Sequence, residues 1–341
     1  MKKYIIILMA TALFVSCQMD RDIEIGKLIG PPKAVINCFP TANGYTEVFV
    51  SESKSSTGNK PGDFKRPNVT TLNYNLNGTQ QDVRRLESKR VFYATNAQQK
   101  SGDRVRVDVQ ADGLPHAWGE TIIPEAVPIK DLTSDVKGSG IYKKQHLALI
   151  FKDPAGESNR YAVQVVEKLI VGKRYKYDEN DNLIKVECRD TLEFLSTVDT
   201  QYEPLLSGVN FANLMFNEEG SKFLNNFYFF TDEGIAGKEY AMNLCLQPTE
   251  TDYYIKDSED VYHKMTIDEE DIIQHSYTAT LFSITPEFYR FMKSLNDTYN
   301  NELGEAGLSV LMPVYSNVNG GLGIVAGYNI SQKEIIIKSH E

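Results

Sequence analysis

A chain of 341 residues, 41% hydrophobic and 11% aromatic, is long enough for two domains of ordinary size and apolar enough to give each a core. Its net charge of −10 repels phosphate backbones and no basic stripe interrupts the acidity, which argues against a nucleic-acid partner. The four cysteines form no C-x-x-C pair and none is ligand-spaced from a histidine, so no metal site and no cofactor is expected.

The first element, residues 1–16, reads as a secretion signal. Lys2 and Lys3 give the positive start, and the uncharged run from Tyr4 to Val15 suits a signal peptide and is too short to span a bilayer. Leu13-Phe14-Val15-Ser16 ahead of Cys17 has the form of a lipobox, a small residue before a cysteine behind an apolar run. Cleavage there takes the net charge from −10 to −12, because the leader holds two lysines and no acid. Acyl chains such as palmitate on Cys17 then anchor the chain, since two or more lipid signals give stable attachment where one does not. The competing reading is an ordinary signal peptide with a chance cysteine, or an N-terminal anchor helix.

Residues 17–32 read as a lipidated tether ending in Gly30-Pro31-Pro32. Asp20, Asp22 and Glu24 at alternate positions resemble the acidic tag that exports some Gram-negative lipoproteins to the outer face of the outer membrane. A solvated tether explains the same residues, with the periplasmic face as the alternative address.

Residues 33–125 read as an immunoglobulin-like or transthyretin-like sandwich of seven strands. Val105, Val107 and Val109 alternate with Arg104, Arg106 and Asp108, and Leu72, Tyr74 and Leu76 alternate with Asn73, Asn75 and Asn77. Period two with one apolar face marks half-buried antiparallel strands. Further strands are expected at 33–39, 46–52, 83–87, 90–95 and 117–123, with a Ser/Lys/Gly/Pro-rich loop at 53–67. Pro124 and Pro128 mark the passage into the rest.

Residues 126–341 read as a second β-rich domain. Tyr161, Val163 and Val165 form one alternating face, and Tyr240, Met242, Leu244 and Leu246 another. Arg174 to Val186 is a hairpin around a polar turn. One helix is expected: Thr285 caps it, Pro286 opens it, Glu287 suits its positive end, and Phe288, Phe291, Met292, Leu295 and Tyr299 recur at helical spacing up to Asn300–Asn301. That stripe packs the helix on the second sheet. Asn319-Gly320-Gly321-Leu322-Gly323 is a turn leading into a closing strand. The fold class is therefore mainly β, with one sandwich, a second β-rich domain and a single packed helix.

Chemistry-bearing motifs are scarce. There is no G-x-S-x-G, no H-E-x-x-H and no phosphate-binding loop. His116, His146, His263, His275 and His340 stand apart. Asp178, Asn180 and Asn182 begin like a calcium loop but continue with Leu183 where glycine is needed and end on Arg189 where glutamate is needed. Asp268-Glu269-Glu270-Asp271 has the charge to recruit a cation, against the ordinary reading of such a run as a solvated loop or a helix start. Tyr253, Tyr254 and Tyr262 cluster in a polar stretch, either to stack on sugars or aromatic ligands or to pack in strands. Asp190-Thr191-Leu192 resembles a short O-glycosylation tag of exported proteins. Of Cys38, Cys188 and Cys245, at most two form a bridge; Cys188–Cys245 and three buried thiols both remain open.

Several segments together resemble the lipoprotein family known as domain of unknown function 4249. They are Phe230-Thr231-Asp232 with Gly237-Lys238, Leu281 to Phe291, Ser316 to Ile324, and Ile122-Ile123-Pro124 with Val127-Pro128-Ile129. Asp232, Gly237, Asn317, Gly320, Gly321 and Gly323 carry the signature, in structural roles. Departures are the weak Gly-Ala-x-Val pattern in the first sandwich, Met312-Pro313 in place of an acid before proline, and Val325 in place of an aromatic. The resemblance implies no catalytic residues. It implies a lipoprotein encoded near a TonB-dependent outer-membrane transporter, hence a ligand-binding or accessory subunit beside an importer. A surface adhesive or structural protein and, behind it, a glycan or peptide hydrolase are the alternatives.

Overall fold

The structure is a computed structural model that describes residues 30–42, 44–54, 66–87, 91–138, 143–156, 158–206, 223–249, 251–300 and 313–339. The leader, Cys17, most of the tether and most of the 53–67 loop lie outside the described residues.

The chain is mainly β. The first strands are β1 (Ala34–Cys38), β2 (Thr46–Glu52), β3 (Val69–Leu76), β4 (Thr79–Gln81), β5 (Arg84–Glu87), β6 (Val91–Thr95), β7 (Arg104–Ala111) and β8 (Ala117–Ile122). There follow β9 (Ile129–Lys137), β10 (Lys144–Lys152), β11 (Arg160–Tyr177), β12 (Leu183–Leu195), β13 (Tyr228–Thr231) and β14 (Glu239–Leu246). The last are β15 (Asp252–Lys256), β16 (Tyr262–Thr266), β17 (Ile272–Ile284), helix α1 (Pro286–Tyr299), β18 (Leu322–Val325) and β19 (Tyr328–Ser339).

In the first sandwich a sheet ordered β18-β1-β2-β6-β5 faces one ordered β4-β3-β7-β8. The period-two pattern is what buries it: Val105, Val107 and Val109 point inward at 0% exposure against Ile36, Cys38, Val48, Val50 and Tyr74. Each such side chain contributes about 1.5–3 kcal/mol by leaving water. The buried Tyr74 hydroxyl donates to Gln99 Oε1, and the Gln99 amide donates to Thr41 O at 3.2 Å and Thr46 Oγ1 at 2.7 Å, so the polar atoms in this core are matched.

The sandwich differs from the seven-strand expectation in two ways. The short β4 pairs β3, and one strand comes from the far end of the chain. β18 lies parallel to β1, Val35 opposite Leu322 and Cys38 opposite Val325, and its Val325 joins the first core.

The second unit packs the sheet β14-β10-β9 against a larger one ordered β12-β11-β17-β19, with β13 also on β11. Leu147, Leu149 and Phe151 of β10 meet Tyr161, Val163 and Val165 of β11, Leu281 of β17 and Met242 and Leu244 of β14 in one core. The Arg174–Val186 hairpin is the end of the longer β11–β12 ladder, which pairs from Val166 with Leu195 out to Tyr177 with Leu183.

Helix α1 starts where its cap residues place it: Thr285 is extended, its hydroxyl accepts from Phe288 N, and Pro286 occupies the first turn. It packs on more than the second sheet. Its Phe288 sits among Phe227 and Phe229, Ala162 of β11, Phe39, and Ile324 of β18, so the helix seals the seam between the two units.

β18 and β19 form one run from Leu322 to Ser339, broken only at Ala326 and Gly327. The run begins in the first sandwich beside Val35 and ends in the second unit, where Ser339 pairs Gln274. At the crossing, Ala326 N donates to Cys38 O and Tyr328 N to Pro40 O, each at 3.0 Å.

Candidate functional site

The signature residues fall into two places. Asn317, Gly320, Gly321 and Gly323 build the entry of β18 between the sheets. The Asn317 side chain acts as a short strand partner, with Nδ2 donating to Val325 O at 2.7 Å and Oδ1 accepting from Val325 N at 2.9 Å. Asn319 and Trp118 exchange backbone hydrogen bonds across to β8 at 2.7 and 3.0 Å. Gly323 has φ +97°, and a Cβ there would lie 2.2 Å from Ile36 O; Gly320 has φ +70° with His116 O at 2.1 Å from the corresponding point. Only glycine fits these positions.

Asp232 and Gly237 belong to a separate loop after β13. Asp232 Oδ2 accepts from Asn159 N at 2.7 Å, and Gly237 N donates to Asp153 Oδ2 at 2.7 Å. Asp153, fully buried and not singled out by sequence, also accepts from the Tyr161 hydroxyl at 2.6 Å. Burial, reinforced by that carboxylate, pushes the Tyr161 phenol well above its ordinary range. These carboxylates are spent on the fold. So is the buried Glu203, which accepts from the Tyr240 hydroxyl at 2.6 Å and from Asn243 N at 2.7 Å.

The third set of polar groups lies at the distal end of the large sheet. The β11–β17 ladder slips between Ile170 and Val171 and ends there, the β11–β12 ladder slips at Gly172, and beyond it β11 and β12 continue as a two-stranded arm about 20 Å long. The β15–β16 hairpin is tied to that arm. Tyr175 N donates to the Tyr253 hydroxyl at 2.7 Å, the Arg174 guanidinium sits 5.2 Å over the Tyr253 ring, and Tyr177 meets His263 at 5.2 Å between centroids. At the tips Ser258 N donates to Asp181 Oδ1 at 3.0 Å. Underneath, Leu169, Val171, Ile267 and Ile272 form a small core of their own, with Leu192, Phe194 and Tyr253 against it.

The two tips are built alike. Asp178 Oδ1 accepts from the amides of Asn180 and Asn182 at 2.8 and 2.9 Å; Asp257 Oδ1 accepts from those of Glu259 and Val261 at 3.0 and 2.9 Å. Asp181 and Asp260 take positive φ at the matching position. The Asp178-x-Asn180-x-Asn182 pattern is thus the chemistry of an Asx turn. Those bonds, Asn182 foremost, hold the Asp178 carboxyl below the usual range.

The acidic run 268–271 has recruited a cation, the ammonium of Lys185. It lies 2.8 Å from Asp268, 2.6 Å from Asp271 and 3.4 Å from Glu270, and 5.2 Å over the Tyr175 ring. Hydrogen bonds to Asp268 and Asp271 push it well above the ordinary lysine range. Among the described residues no group of three or more His, Cys, Asp or Glu side chains is placed to hold a metal ion. Cys38, Cys188 and Cys245 are free thiols, and burial raises each of them, so none is poised as a thiolate. Thr191 of the Asp190-Thr191-Leu192 pattern is exposed on β12.

The tyrosine cluster divides. Tyr253 packs inward, whereas Tyr254 and Tyr262 point out at 66% and 67% exposure. Tyr254 stands opposite Lys264 and Tyr262 opposite Lys256, so the two rings are diagonal neighbours on one face. Two open depressions of about 310 and 320 Å³ lie elsewhere, one lined by Gln81–Arg84 and Thr95–Ala97, the other by Arg104, Glu120–Ile122 and Thr285–Glu287.

The family described as "Domain of unknown function (DUF4249)" matches residues 20–334. The chain belongs to this family. The match takes in both sandwiches, helix α1, the arm and the β18 crossing, so the architecture above is that of a DUF4249 member over nearly its whole length. No curated protein matches the chain.

Proposed function

We propose that this DUF4249 protein is a lipid-anchored cell-surface subunit that binds a ligand, or assists its capture, beside a TonB-dependent outer-membrane importer. Acylated Cys17 fixes it to the outer membrane, and the arm faces outward. The observation that carries this reading is the order of parts along the β18–β19 run. The chain enters the folded body at Lys33–Ala34, beside the start of the run, while the arm rises beyond its other end. A protein held by its N-terminus in this way presents Tyr254 and Tyr262 away from the anchor.

Binding is favoured over hydrolysis because the buried carboxylates Asp153 and Glu203 are taken up by amide and hydroxyl donors. A glycosidase needs two carboxyls facing each other across a cleft that admits the sugar. The importer partner rests on the family's gene neighbourhoods alone.

The test is mild detergent extraction of the native membrane followed by capture of the intact lipoprotein. Co-purification of an outer-membrane β-barrel is expected. Mass spectrometry of the same material is expected to show acyl chains on Cys17. Recovery of the protein alone at every detergent strength, or an unmodified Cys17 thiol, removes the proposal.

A further inference from the structure

The outward face of the β15–β16 hairpin has the chemistry of a sugar platform. Tyr254 and Tyr262 expose two thirds of their surface on a diagonal whose Cβ spacing is about 7–8 Å at most. Two exposed aromatic rings at such spacing offer apolar surface to the C–H faces of successive rings in one chain, and the Lys256 ammonium stands 5.7 Å over the Tyr262 ring at the edge of that surface.

Rigidity is supplied from behind. The inward side chains of the same hairpin, Tyr253 and His263, are fixed by Tyr175 N and by Asp257 Oδ2 at 2.7 Å each. The strand backbone that carries the two rings is therefore held in place from behind, and ordering it costs little on binding.

Charge decides the ligand class. The two lysines that flank the rings are already neutralised: Lys256 by Asp260 at 2.7 Å and Lys264 by Asp252 at 2.5 Å. Lys264, with the Thr266 hydroxyl, in turn holds the Asp252 carboxyl below its usual range. The adjoining turn adds Asp257 and Glu259. An anionic polymer meets no unmatched cation here, and a purely apolar ligand meets a polar rim.

We propose that Tyr254 and Tyr262 form a binding site for neutral oligosaccharides. This rests on the arm being the presenting element of the anchored protein, and it adds the ligand class.

The test is calorimetric titration of the full chain in detergent with maltohexaose, cellohexaose and mannohexaose, with a hexamer of galacturonic acid as the anionic probe. Saturable binding of at least one neutral hexamer is expected, with little or none for the acidic one. Tyr254→Ala and Tyr262→Ala should each weaken it about tenfold, as for anchor residues of an interface. Tyr299→Ala, at an equally exposed ring on helix α1, should leave it unchanged. Circular dichroism of each variant shows that it is folded. Failure of every neutral hexamer to bind the folded wild type, preference for the acidic hexamer, or full binding by the double variant overturns the proposal. Retained co-purification with a β-barrel in any of those cases shows that the ligand class has failed and the anchored-subunit reading has not.

Discussion

At the scale of single residues, Glu167 is the most exacting position. It lies on the inner face of β11, between the main core and the small core under the arm, and is 6% exposed. His275 Nε2 meets its Oε1 at 2.6 Å, the Tyr277 hydroxyl donates to the same oxygen at 3.2 Å, and the Thr249 hydroxyl donates to Oε2. Burial alone would raise this carboxyl; the hydrogen bonds from His275, Thr249 and Tyr277 outweigh it and hold the group below its usual range. A depressed folded-state pKa contributes stability that is present above the unfolded value and is lost as pH falls through the folded one. Glu167→Gln should therefore cost about 2 kcal/mol near neutrality. Its urea midpoint should also change less than that of the wild type between pH 6 and pH 3. An acid limb as steep as the wild type's would show that Glu167 is not the group responsible.

Gly323 is the second such residue. Its positive φ and the Ile36 carbonyl beside it leave an alanine no low-energy placement, and Gly323→Ala should destabilise by ~3 kcal/mol or more. A thermal melt settles this: a shift no larger than that of an alanine at the open, positive-φ Gly113 would mean that strain and not the close approach governs the site.

At the scale of elements, legibility followed sequence distance. Helix α1 was readable because its cap, its proline and its apolar stripe are contiguous from Thr285 onward; Phe288, Phe291 and Met292 pack as that spacing predicts, whereas Tyr299 at its end faces solvent. The β11–β12 hairpin was readable because its strands flank one Asp/Asn turn. The pairing of β18 with β1 was not, since nothing near Leu322 names Val35 as its neighbour. The arm was half legible. Tyr253, Tyr254 and Tyr262 stood out as a cluster, but which ring faces out depends on the register of β15 against β16 and on packing over Leu169 and Val171. Glu167 carries no local signal, because its partners lie on β17 and at Thr249. The arm also makes its own prediction. Tyr253→Phe removes the hydroxyl that accepts from Tyr175 N while keeping the ring under Arg174. Hydrogen exchange should speed up about tenfold at the amides of 173–177, with the amides of β10 and β14 unaffected. Uniform acceleration throughout the chain would mean that the arm unfolds only with the whole.

At the scale of the molecule, the β18 crossing makes the two units depend on each other. The first sandwich has 33–125 as its main contiguous stretch, yet one edge strand of its sheet, and Val318 and Val325 of its core, come from beyond residue 313. Without that strand, β1 loses its parallel partner, the Asn317 and Asn319 bridges to β8 vanish, and the faces of Ile36 and Ala117 open to water. The buried seam around Phe39, Phe288 and Ile324 then loses one wall as well. A fragment of residues 33–125 should accordingly be unfolded or aggregate. The mature chain should unfold in a single calorimetric transition, because the strand that would have to separate the two units is shared by both. Supplying residues 313–339 as a separate chain to residues 18–312 should restore native circular dichroism and that single transition, with a concentration dependence set by binding of the strand. A stable, cooperatively folding 33–125 fragment would show instead that the first sandwich is complete on its own, and that β18 merely decorates an edge.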